Sequence, residues 1–390
     1  MDNIVVGLIV PPGLPDTTPN REGASGLGSV EPGSGGFRYP PHTVAFVAAV
    51  LRRAGYDVNV LDAVALDYDL DRCLEALRSW HVSALGVFVS WATREADRLF
   101  LRALREAEGV SAPVVAFGVS TPHMRDALTD ADYILEGEPE VAVADLCRTL
   151  ATGETALPRV VASQQLNRMT YDERGLLIDL NALPLPAWDL LPRDNYPFLT
   201  VLSSRGCEHG CSWCPYVVAQ GRSFRACSPS RVVGEVKELV SRYEPRRIVF
   251  RDPAFVLDRE RVEAICQGIV AEKALVPRWE CESRPEHLDA PLLRLMALAG
   301  CTGIKVGLET TDAKMLCREG RVTDRDAVED YLARVASSAR ACALLDIAFR
   351  LFVLLGLPGQ TTDMVRRTAE FVRAVCPDTL TVKMLKRYPQ

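Results

Sequence analysis

The sequence Cys207-Glu-His-Gly-Cys211-Ser-Trp-Cys214 places three cysteines within eight residues, directly after an apolar run that predicts a strand. A loop with this spacing can wrap three thiolates around one metal centre. Disulfide pairing would leave one thiol over and would strain so short a loop. The spacing therefore predicts that Cys207, Cys211 and Cys214 bind a metal.

Zinc is the competing metal, because His209 would complete a tetrahedral set of ligands. Structural zinc usually takes two separated pairs of ligands, and the chain has no matching CxxC or HxxxH elsewhere. The other histidines, His287 among them, have no partner at ligand spacing and are assigned no role. A four-iron cluster on three cysteines leaves one iron open, which is a place for a substrate or cofactor to bind. The spacing thus favours a catalytic iron–sulfur cluster.

The cysteine loop follows the first of six strand-like runs that alternate with helical patterns. Six strand–helix repeats rather than eight predict a partial parallel barrel over residues 199–390. The strand-like runs are 199–203, 247–251, 278–282, 303–308, 346–354 and 379–384, and the helices are 229–243, 258–273, 290–299, 324–342 and 361–375.

Residues 1–152 show the same alternation and predict a doubly wound parallel sheet, followed by a proline-punctuated linker over 153–198. Within this first domain, residues 11–40 contain 7 Gly and 6 Pro, too many for a helix or a central strand. This segment is predicted to be a long loop, either for a ligand or as a surface excursion. The predicted strands are 4–10, 57–62, 84–90, 113–118 and 133–135, and the helices are 42–54, 70–81, 94–108 and 139–152.

The charge balance restricts the partners. The 390 residues contain 45 Lys plus Arg against 51 Asp plus Glu, so no basic surplus is available to neutralise nucleic-acid phosphates. No uncharged apolar run approaches the roughly 20 residues of a membrane span. Twelve cysteines in a chain long enough to bury its own core fit reduced or metal-bound thiols. We therefore expect a cytoplasmic protein that binds neither nucleic acid nor membrane.

The CxxxCxxC loop after the first barrel strand, with Trp213 just before the third cysteine, resembles that of the radical S-adenosylmethionine superfamily. The resemblance implies a [4Fe-4S] cluster whose open iron chelates the amino and carboxylate groups of S-adenosylmethionine. In that family the cluster donates one electron, and the sulfonium breaks to give a 5′-deoxyadenosyl radical.

Further segments resemble the cobalamin-dependent branch of the superfamily, notably Glu136-Gly-Glu-Pro-Glu, Leu183-Pro-Leu-Pro-Ala-Trp-Asp and Gly356-Leu-Pro-Gly-Gln-Thr. The resemblance implies a Rossmann-like cobalamin-binding domain followed by a partial TIM-type barrel. Many members continue beyond the sixth strand, so a short form is expected to have a barrel mouth closed by a large substrate, a carrier protein or a partner subunit.

Charged residues at the predicted strand ends are candidates for binding S-adenosylmethionine, because parallel barrels build their sites there. The resemblance implies that Arg284 and Glu309 hold the polar parts of S-adenosylmethionine and that the backbone near Tyr216 meets the adenine. Asp252 also follows a predicted strand and joins this set. The alternative is that these charges form ion pairs with one another at the barrel rim.

The cobalamin site is expected beyond the carboxyl ends of the strands of the first domain. Trp91 there would cover the lower face of cobalt or be an ordinary buried aromatic residue. The chain lacks an Asp-x-His-x-x-Gly motif, so we expect cobalt without a protein histidine ligand. The predicted cobalamin-binding residues are Ser90, Trp91, Thr93, Gly118, Ser120, Gly137 and Glu138.

The resemblance implies a methyltransferase that acts on an unactivated carbon of a small molecule or natural-product intermediate. One S-adenosylmethionine would methylate cobalamin, and a second would generate the radical that activates the substrate. The resemblance also implies a substrate that is free or carrier-bound and a flavodoxin- or ferredoxin-type reductant. The alternatives are an oxidative rearrangement or cyclisation without methyl transfer, and a non-catalytic cobalamin-binding sensor.

Overall fold

The computed structural model describes residues 4–33, 36–140, 142–143, 175–272 and 277–388. The chain divides into two compact units, which we call unit 1 (Met1–Pro197) and unit 2 (Phe198–Gln390). In the described part of the chain, no helix has the length and apolar character needed to span a membrane.

Unit 1 is built on a five-stranded parallel sheet with strand order β4-β1-β5-β6-β7. Leu8 and Ile9 of its central first strand are both fully buried, so both faces of the sheet are covered, as a doubly wound fold requires. Its elements are β1 (Val5–Val10), β2 (Thr17–Asn20), β3 (Ser29–Pro32), α1 (His42–Arg53), β4 (Asp57–Asp62), α2 (Leu70–Arg78), β5 (Ala84–Phe88), α3 (Arg94–Glu106), β6 (Val114–Phe117) and β7 (Tyr133–Ile134).

The glycine- and proline-rich segment after β1 is more ordered than the predicted loop. It forms an antiparallel hairpin of β2 and β3, with a 3₁₀ turn at Gly23–Gly26 between the strands. Its composition excludes a helix and a central strand, but a short isolated hairpin tolerates proline because its edges need no further pairing. The predicted helix 139–152 and linker 153–198 lie partly outside the described residues.

Unit 2 is built on a six-stranded sheet in which every pairing is parallel, in the order β15-β14-β13-β12-β11-β8. Its elements are β8 (Leu199–Val201), β9 (Ser204–Arg205), α4 (Pro215–Gln220), β10 (Arg225–Ala226), α5 (Pro229–Tyr243), β11 (Ile248–Phe250), α6 (Arg259–Ala271), β12 (Trp279–Ser283), α7 (Ala290–Leu298), β13 (Cys301–Glu309), α8 (Ala313–Arg318), α9 (Ala327–Ala343), β14 (Ala348–Leu355), α10 (Thr362–Val375) and β15 (Thr379–Met384).

The sheet of unit 2 has two different faces. On β13, Ile304, Val306 and Leu308 are fully buried, and the helices α7 and α9 pack on this strand. The alternate residues Lys305 and Glu309 are only partly buried. Because side chains alternate along a strand, the second set points to the face that the helices leave uncovered, which we call the inner face.

Glu235 on α5 is a buried carboxyl group without a full set of partners. Its side chain is enclosed, and its Oε1 has no hydrogen-bond partner in the part of the chain that the structure describes. Burial raises the pKa of Glu235 to about 7, although the nearby Arg231 guanidinium opposes this shift. The folded state therefore favours the protonated, neutral form of Glu235.

We expect Glu235→Gln to remove a pH dependence of stability. The pKa of Glu235 is higher in the folded state than its ordinary value of 4.5, so the protonated carboxyl group stabilises the folded state fully below pH 4.5. This contribution to the free energy of unfolding is lost as pH rises through about 7. Relative to wild type, the variant should gain roughly 3 kcal/mol between pH 4.5 and pH 8. Urea denaturation at both pH values measures this, with Glu238→Gln on the same helix as the control. Parallel pH profiles for wild type and Glu235→Gln would contradict the expectation.

Candidate metal centre and cofactor sites

The three cysteines of the loop lie between β9 and α4, and all three are free thiols. The backbone is closely packed at Gly206, where the cysteine loop begins. Gly206 has φ +79°, and a Cβ at this position would lie 2.1 Å from the Ser223 carbonyl oxygen. The Gly206 amide donates to Gln220 Oε1 at 3.1 Å, and β9 pairs with β10. Only glycine fits at this position, which fixes where the loop begins.

The thiols of the loop are buried and lie near backbone amides and guanidinium groups. Burial raises the pKa of Cys214 to about 12, while the amides of Tyr216 and Val217 at the start of α4 act in the opposite direction. Burial also raises the pKa of Cys207, against the His209 amide and two nearby guanidinium groups. Thiolates in this loop therefore need a strong additional positive partner, which a metal centre supplies.

The donor set fits an iron–sulfur cluster better than a single zinc ion. Among the described residues, no three His, Cys, Asp or Glu side chains converge closely enough to hold one metal ion. A zinc site needs such convergence, whereas the cysteines of a cluster bind different irons. Nε2 of His209 lies 3.5 Å from Nε2 of His287. This histidine pair was not predicted, because the two residues are far apart in the chain.

Arg284, predicted to bind S-adenosylmethionine, contacts the cysteine loop directly. It follows β12, and its buried guanidinium donates from Nη1 to Cys211 Sγ at 3.4 Å. Its Nη2 donates to the Arg321 carbonyl oxygen at 2.8 Å, and it also pairs with Glu286. Arg284 thus holds the middle cysteine against the end of β12.

Arg321 is a buried residue of this site that the sequence analysis did not identify. Its Nε donates to the Tyr331 hydroxyl at 3.0 Å, and its Nη2 donates to the Gly307 carbonyl oxygen at 2.6 Å. It follows the short helix α8 rather than a strand, so no positional signal marks it. The adjacent Gly320 has φ +70°, and a Cβ there would lie 2.7 Å from the Gly210 carbonyl oxygen. This segment therefore packs against the cysteine loop.

Glu309 occupies a strained position at the end of β13. Its φ is +65°, and the register of β13 with β14 shifts between Gly307 and Glu309. A Cβ at Gly307 would lie 2.3 Å from Glu309 Oε1, so glycine makes room for the carboxylate. Burial raises the pKa of Glu309, against the opposing charges of Arg321 and other nearby cations. Strain of this kind is typical of functional sites.

Tyr216 and Asp252, also predicted to bind S-adenosylmethionine, differ in how many protein partners their polar groups have. The Tyr216 hydroxyl donates to Glu282 Oε2 at 3.2 Å on the inner face. Asp252 is fully buried and accepts hydrogen bonds from the Ser203 amide at 2.8 Å and from the Ser203 and Ser204 hydroxyls at 2.6 and 2.8 Å. It therefore holds the chain between β8 and the cysteine loop, an arrangement that favours positioning over the predicted ligand contact.

In unit 1, the predicted cobalamin-binding residues meet at the carboxyl edge of the sheet. Asp97 Oδ2 accepts from the Ser90 amide at 3.0 Å and from the Thr93 hydroxyl at 2.6 Å. The other carboxylate oxygen, Oδ1, accepts from Arg21 Nη2 at 2.5 Å, and Arg21 Nη1 donates to the Pro11 carbonyl oxygen at 2.7 Å. This buried network ties the segment after β1 to the segment after β5.

The remaining predicted cobalamin-binding residues are also engaged within unit 1. Gly118 approaches Val89 so closely that a Cβ would lie 2.3 Å from its carbonyl oxygen. Ser120 is fully buried, and Glu138 Oε2 accepts from the Leu177 amide at 2.7 Å. Gly137 has φ +92° and adjoins Gly175. Direct contact of these side chains with cobalamin stays a prediction, since in the structure they hold the loops.

The surroundings of Trp91 favour the ordinary aromatic role. It is half-buried and packs against an apolar cluster that includes Phe100 and Leu104. The Arg94 guanidinium lies 4.7 Å from the centroid of its ring.

A small pocket at the carboxyl ends of β1 and β4 was not predicted. Val10, Asn20, Arg38, Asp62 and Tyr196 contribute to its lining. Asn20 Oδ1 is buried and, within the described residues, has no hydrogen-bond partner. Asn20 belongs to the glycine- and proline-rich segment, and the pocket of about 10 Å³ has room for one water molecule.

A family model described as the radical SAM superfamily matches residues 201–372, the range that contains the cysteine loop. The chain contains a radical S-adenosylmethionine domain over these residues. The predicted radical SAM domain is confirmed, and the chain also resembles curated methyltransferases. It is 25% identical over 365 residues to an uncharacterized methyltransferase of Pyrococcus horikoshii, covering 90% of this chain and 76% of the relative. It is 23% identical to the tryptophan 2-C-methyltransferase of Streptomyces laurentii, covering 84% of this chain and 66% of the relative.

A solved structure supports the fold of the radical SAM protein over nearly its whole length. The radical S-adenosylmethionine methyltransferase TsrM of Kitasatospora setae, with cobalamin and a [4Fe-4S] cluster bound, aligns with a TM-score of 0.74 at 17% identity. The alignment covers 98% of this chain and 72% of TsrM. The predicted combination of a Rossmann-like domain and a partial barrel is confirmed.

Replacing Arg284 should shift the potential of a reconstituted cluster. Without the N–H donor to Cys211 Sγ, the reduced cluster is less stabilised, so Arg284→Met should lower the midpoint potential by roughly tens of millivolts. A redox titration followed by electron paramagnetic resonance measures this, with the exposed Arg318→Met as control. An unchanged potential in a variant with full iron content would contradict the assigned contact.

Removing Asp97 should destabilise the protein strongly, because the Arg21 guanidinium would stay buried without its carboxylate. We expect Asp97→Ala to lower the free energy of unfolding by about 3–5 kcal/mol. Asp189→Ala, which removes the partly exposed ion pair with Arg52, should cost less than about 1 kcal/mol. Urea denaturation compares the two variants, and equal losses would argue against a special role for the buried pair.

Proposed function

We propose that this protein is a cobalamin-dependent radical S-adenosylmethionine methyltransferase that acts on an unactivated carbon of a small molecule. The observation that carries the proposal is the loop of three free thiols beside the carboxyl end of a parallel half-barrel, with a guanidinium on Cys211. The fold match to TsrM and the methyltransferase relatives support the same reaction class.

In this proposal Cys207, Cys211 and Cys214 hold the cluster, and the bound cluster supplies the electron that cleaves S-adenosylmethionine. Arg284 fixes the position of Cys211 through its contact with Sγ. Glu309 offers a carboxylate to the amino group of S-adenosylmethionine, and Gly307 leaves room for that carboxylate. Burial of the cysteines limits the access of water to the reacting groups.

Cobalamin is assigned to unit 1. Support comes from the doubly wound fold, whose ligands bind at the carboxyl edge of the sheet. When bound there, cobalamin supplies the methyl group to the substrate. The chain has no Asp-x-His-x-x-Gly motif, so we assign no protein histidine to cobalt.

The proposed partners follow from this chemistry. The substrate is a small molecule, either free or bound to a carrier. Cleavage consumes one electron for each S-adenosylmethionine, so a low-potential donor of the flavodoxin or ferredoxin type is required.

The cluster-loaded protein, supplied with cobalamin, S-adenosylmethionine and dithionite without oxygen, should form both 5′-deoxyadenosine and S-adenosylhomocysteine. Cys211→Ala should lower the 5′-deoxyadenosine yield at least about 100-fold, because it removes a cluster ligand. Cys317→Ala, which changes a half-buried thiol outside the loop, serves as the matched control. Mass spectrometry measures both nucleosides.

Two other outcomes have defined meanings. If cluster-loaded protein forms no 5′-deoxyadenosine, the radical enzyme proposal fails and the sensor becomes the better interpretation. If 5′-deoxyadenosine forms and S-adenosylhomocysteine does not, methyl transfer is wrong and an oxidative rearrangement replaces it.

A further inference from the structure

The inner face of the unit 2 sheet carries a row of charged side chains from adjacent strands. Glu282 of β12, Lys305 of β13 and Arg350 of β14 occupy paired register positions. Their side chains are only partly exposed, at 22%, 17% and 28%. Three ionisable groups side by side inside a half-barrel are not needed to build the fold, since apolar residues would suffice.

Glu280 carries one negative charge and contacts two arginines, so it neutralises only one of them. Glu280 accepts from Arg350 at 2.9 and 3.0 Å and from Arg247 at 2.6 Å. Gly303 lies between the strands that carry Glu280 and Arg350, and a Cβ there would lie 3.1 Å from Glu280 Cγ. The missing side chain lets Arg350 reach across β13, which leaves one positive charge without a matching carboxylate.

Glu282, the second carboxylate, also has more than one positive neighbour. Glu282 lies 3.7 Å from Lys305 Nζ, and Lys383 and Arg251 are further positive neighbours. Without Arg251, the part of this face around Glu280 and Glu282 has four cations against these two carboxylates among the described residues: Arg247, Lys305, Arg350 and Lys383. Nearer the cysteine loop, Glu286 and Glu309 face Arg284 and Arg321, and Glu309 also faces Lys383.

Lys383 is the cation that is open to solvent. It lies on the edge strand β15, and its Nζ is 4.2 Å from the centroid of the Phe352 ring. Within the described part of the chain, no carboxylate lies at ion-pair distance from it. An aromatic ring orients the ammonium group but does not neutralise it.

A buried hydroxyl on the same face points to a ligand independently of the charges. Thr200 of β8 pairs with Val249, which pairs with Glu280, so the three side chains share the inner face. Thr200 is 2% exposed, yet its Oγ1 has no hydrogen-bond partner among the residues described. Buried hydroxyls are usually satisfied, so this one is available to a bound polar molecule.

We propose that the inner face binds the substrate through an anionic oxygen group, a carboxylate or a phosphate, held by Lys305 and Lys383. The substrate is then a small polar acid rather than a hydrocarbon. This inference rests on the proposed function, because it names the substrate class of the same enzyme. Burial lowers the pKa of Lys305, and Arg251 and Arg350 act in the same direction, against Glu282 and Glu280. An anion would relieve this unfavourable crowding of cations.

The test uses full-length, cluster-loaded protein before any turnover. Three fluorinated probes of matched size are titrated and followed by ¹⁹F nuclear magnetic resonance: 4-fluorobenzoate, 4-fluorophenyl phosphate and the neutral 4-fluorobenzamide. We expect at least one anion to bind about tenfold more tightly than the amide, and the stronger anion distinguishes carboxylate from phosphate. Lys305→Met and Lys383→Met should each weaken that anion about tenfold.

Controls separate this inference from the proposed function. Lys237→Met on the outer helix α5 should leave anion binding unchanged. Equilibrium dialysis should give the same affinity for S-adenosylmethionine in both lysine variants as in wild type. Equal binding of amide and anions, or no effect of either lysine variant on anion binding, would overturn the inference. So would a loss of S-adenosylmethionine affinity, which would assign the lysines to that cofactor. None of these readouts depends on 5′-deoxyadenosine formation, so the two proposals fail separately.

Discussion

The contact of the Arg284 guanidinium with Cys211 joins three parts of the chain that are remote in sequence. It links the end of β12 to the cysteine loop, and through the Arg321 carbonyl oxygen it reaches the segment after α8. A guanidinium buried this deeply needs partners for its donors, because an unpaired buried charge is costly. The conformation of the loop therefore depends on interactions outside the loop. Gly320, which lies against Gly210, and Arg321, which donates to Gly307, complete this support.

In both units, a buried aspartate accepts hydrogen bonds from the loop that follows a strand and so holds that loop in place. In unit 1, buried Asp97 accepts from an amide and a hydroxyl after β5 and pairs with Arg21. In unit 2, buried Asp252 accepts from amide and hydroxyl groups after β8. There Arg261 donates to the carbonyl oxygen and hydroxyl of Ser203. Loops held in this way are ordered before a ligand arrives, which lowers the entropic cost of binding.

The inner face of unit 2 shows a different use of charge. Asp97 and Asp252 are surrounded by donors, whereas Lys305 shares Glu282 with other cations and Lys383 has no carboxylate at ion-pair distance among the described residues. Fully satisfied groups hold a structure together, while cations that outnumber the carboxylates around them suit a ligand of opposite sign. The structural aspartates of the two units and the lysines that we propose to bind the substrate thereby differ in their partners.

The sequence alone determined the type and order of the main elements. The strands and the long helices follow from hydrophobic periodicity, which is local, and the metal centre follows from cysteines within one loop. Short elements such as α4, α8 and the β9–β10 pair have too few residues to show a period, and they were missed. The composition of residues 11–40 excluded regular core elements but did not reveal the hairpin.

Tertiary structure decided which side chains meet. Nothing local to Arg321 marks it as a partner of the cysteine loop, and His209 and His287 become neighbours only through the fold. Asp252 appeared at a strand end like Glu309, yet only the three-dimensional contacts distinguish the enclosed carboxylate from the one beside the cysteine loop. Periodicity and spacing are properties of neighbouring residues, so the sequence determined the elements and the metal-binding loop. Burial and charge pairing depend on residues brought together from distant positions, so the tertiary structure decided the roles of the charged groups.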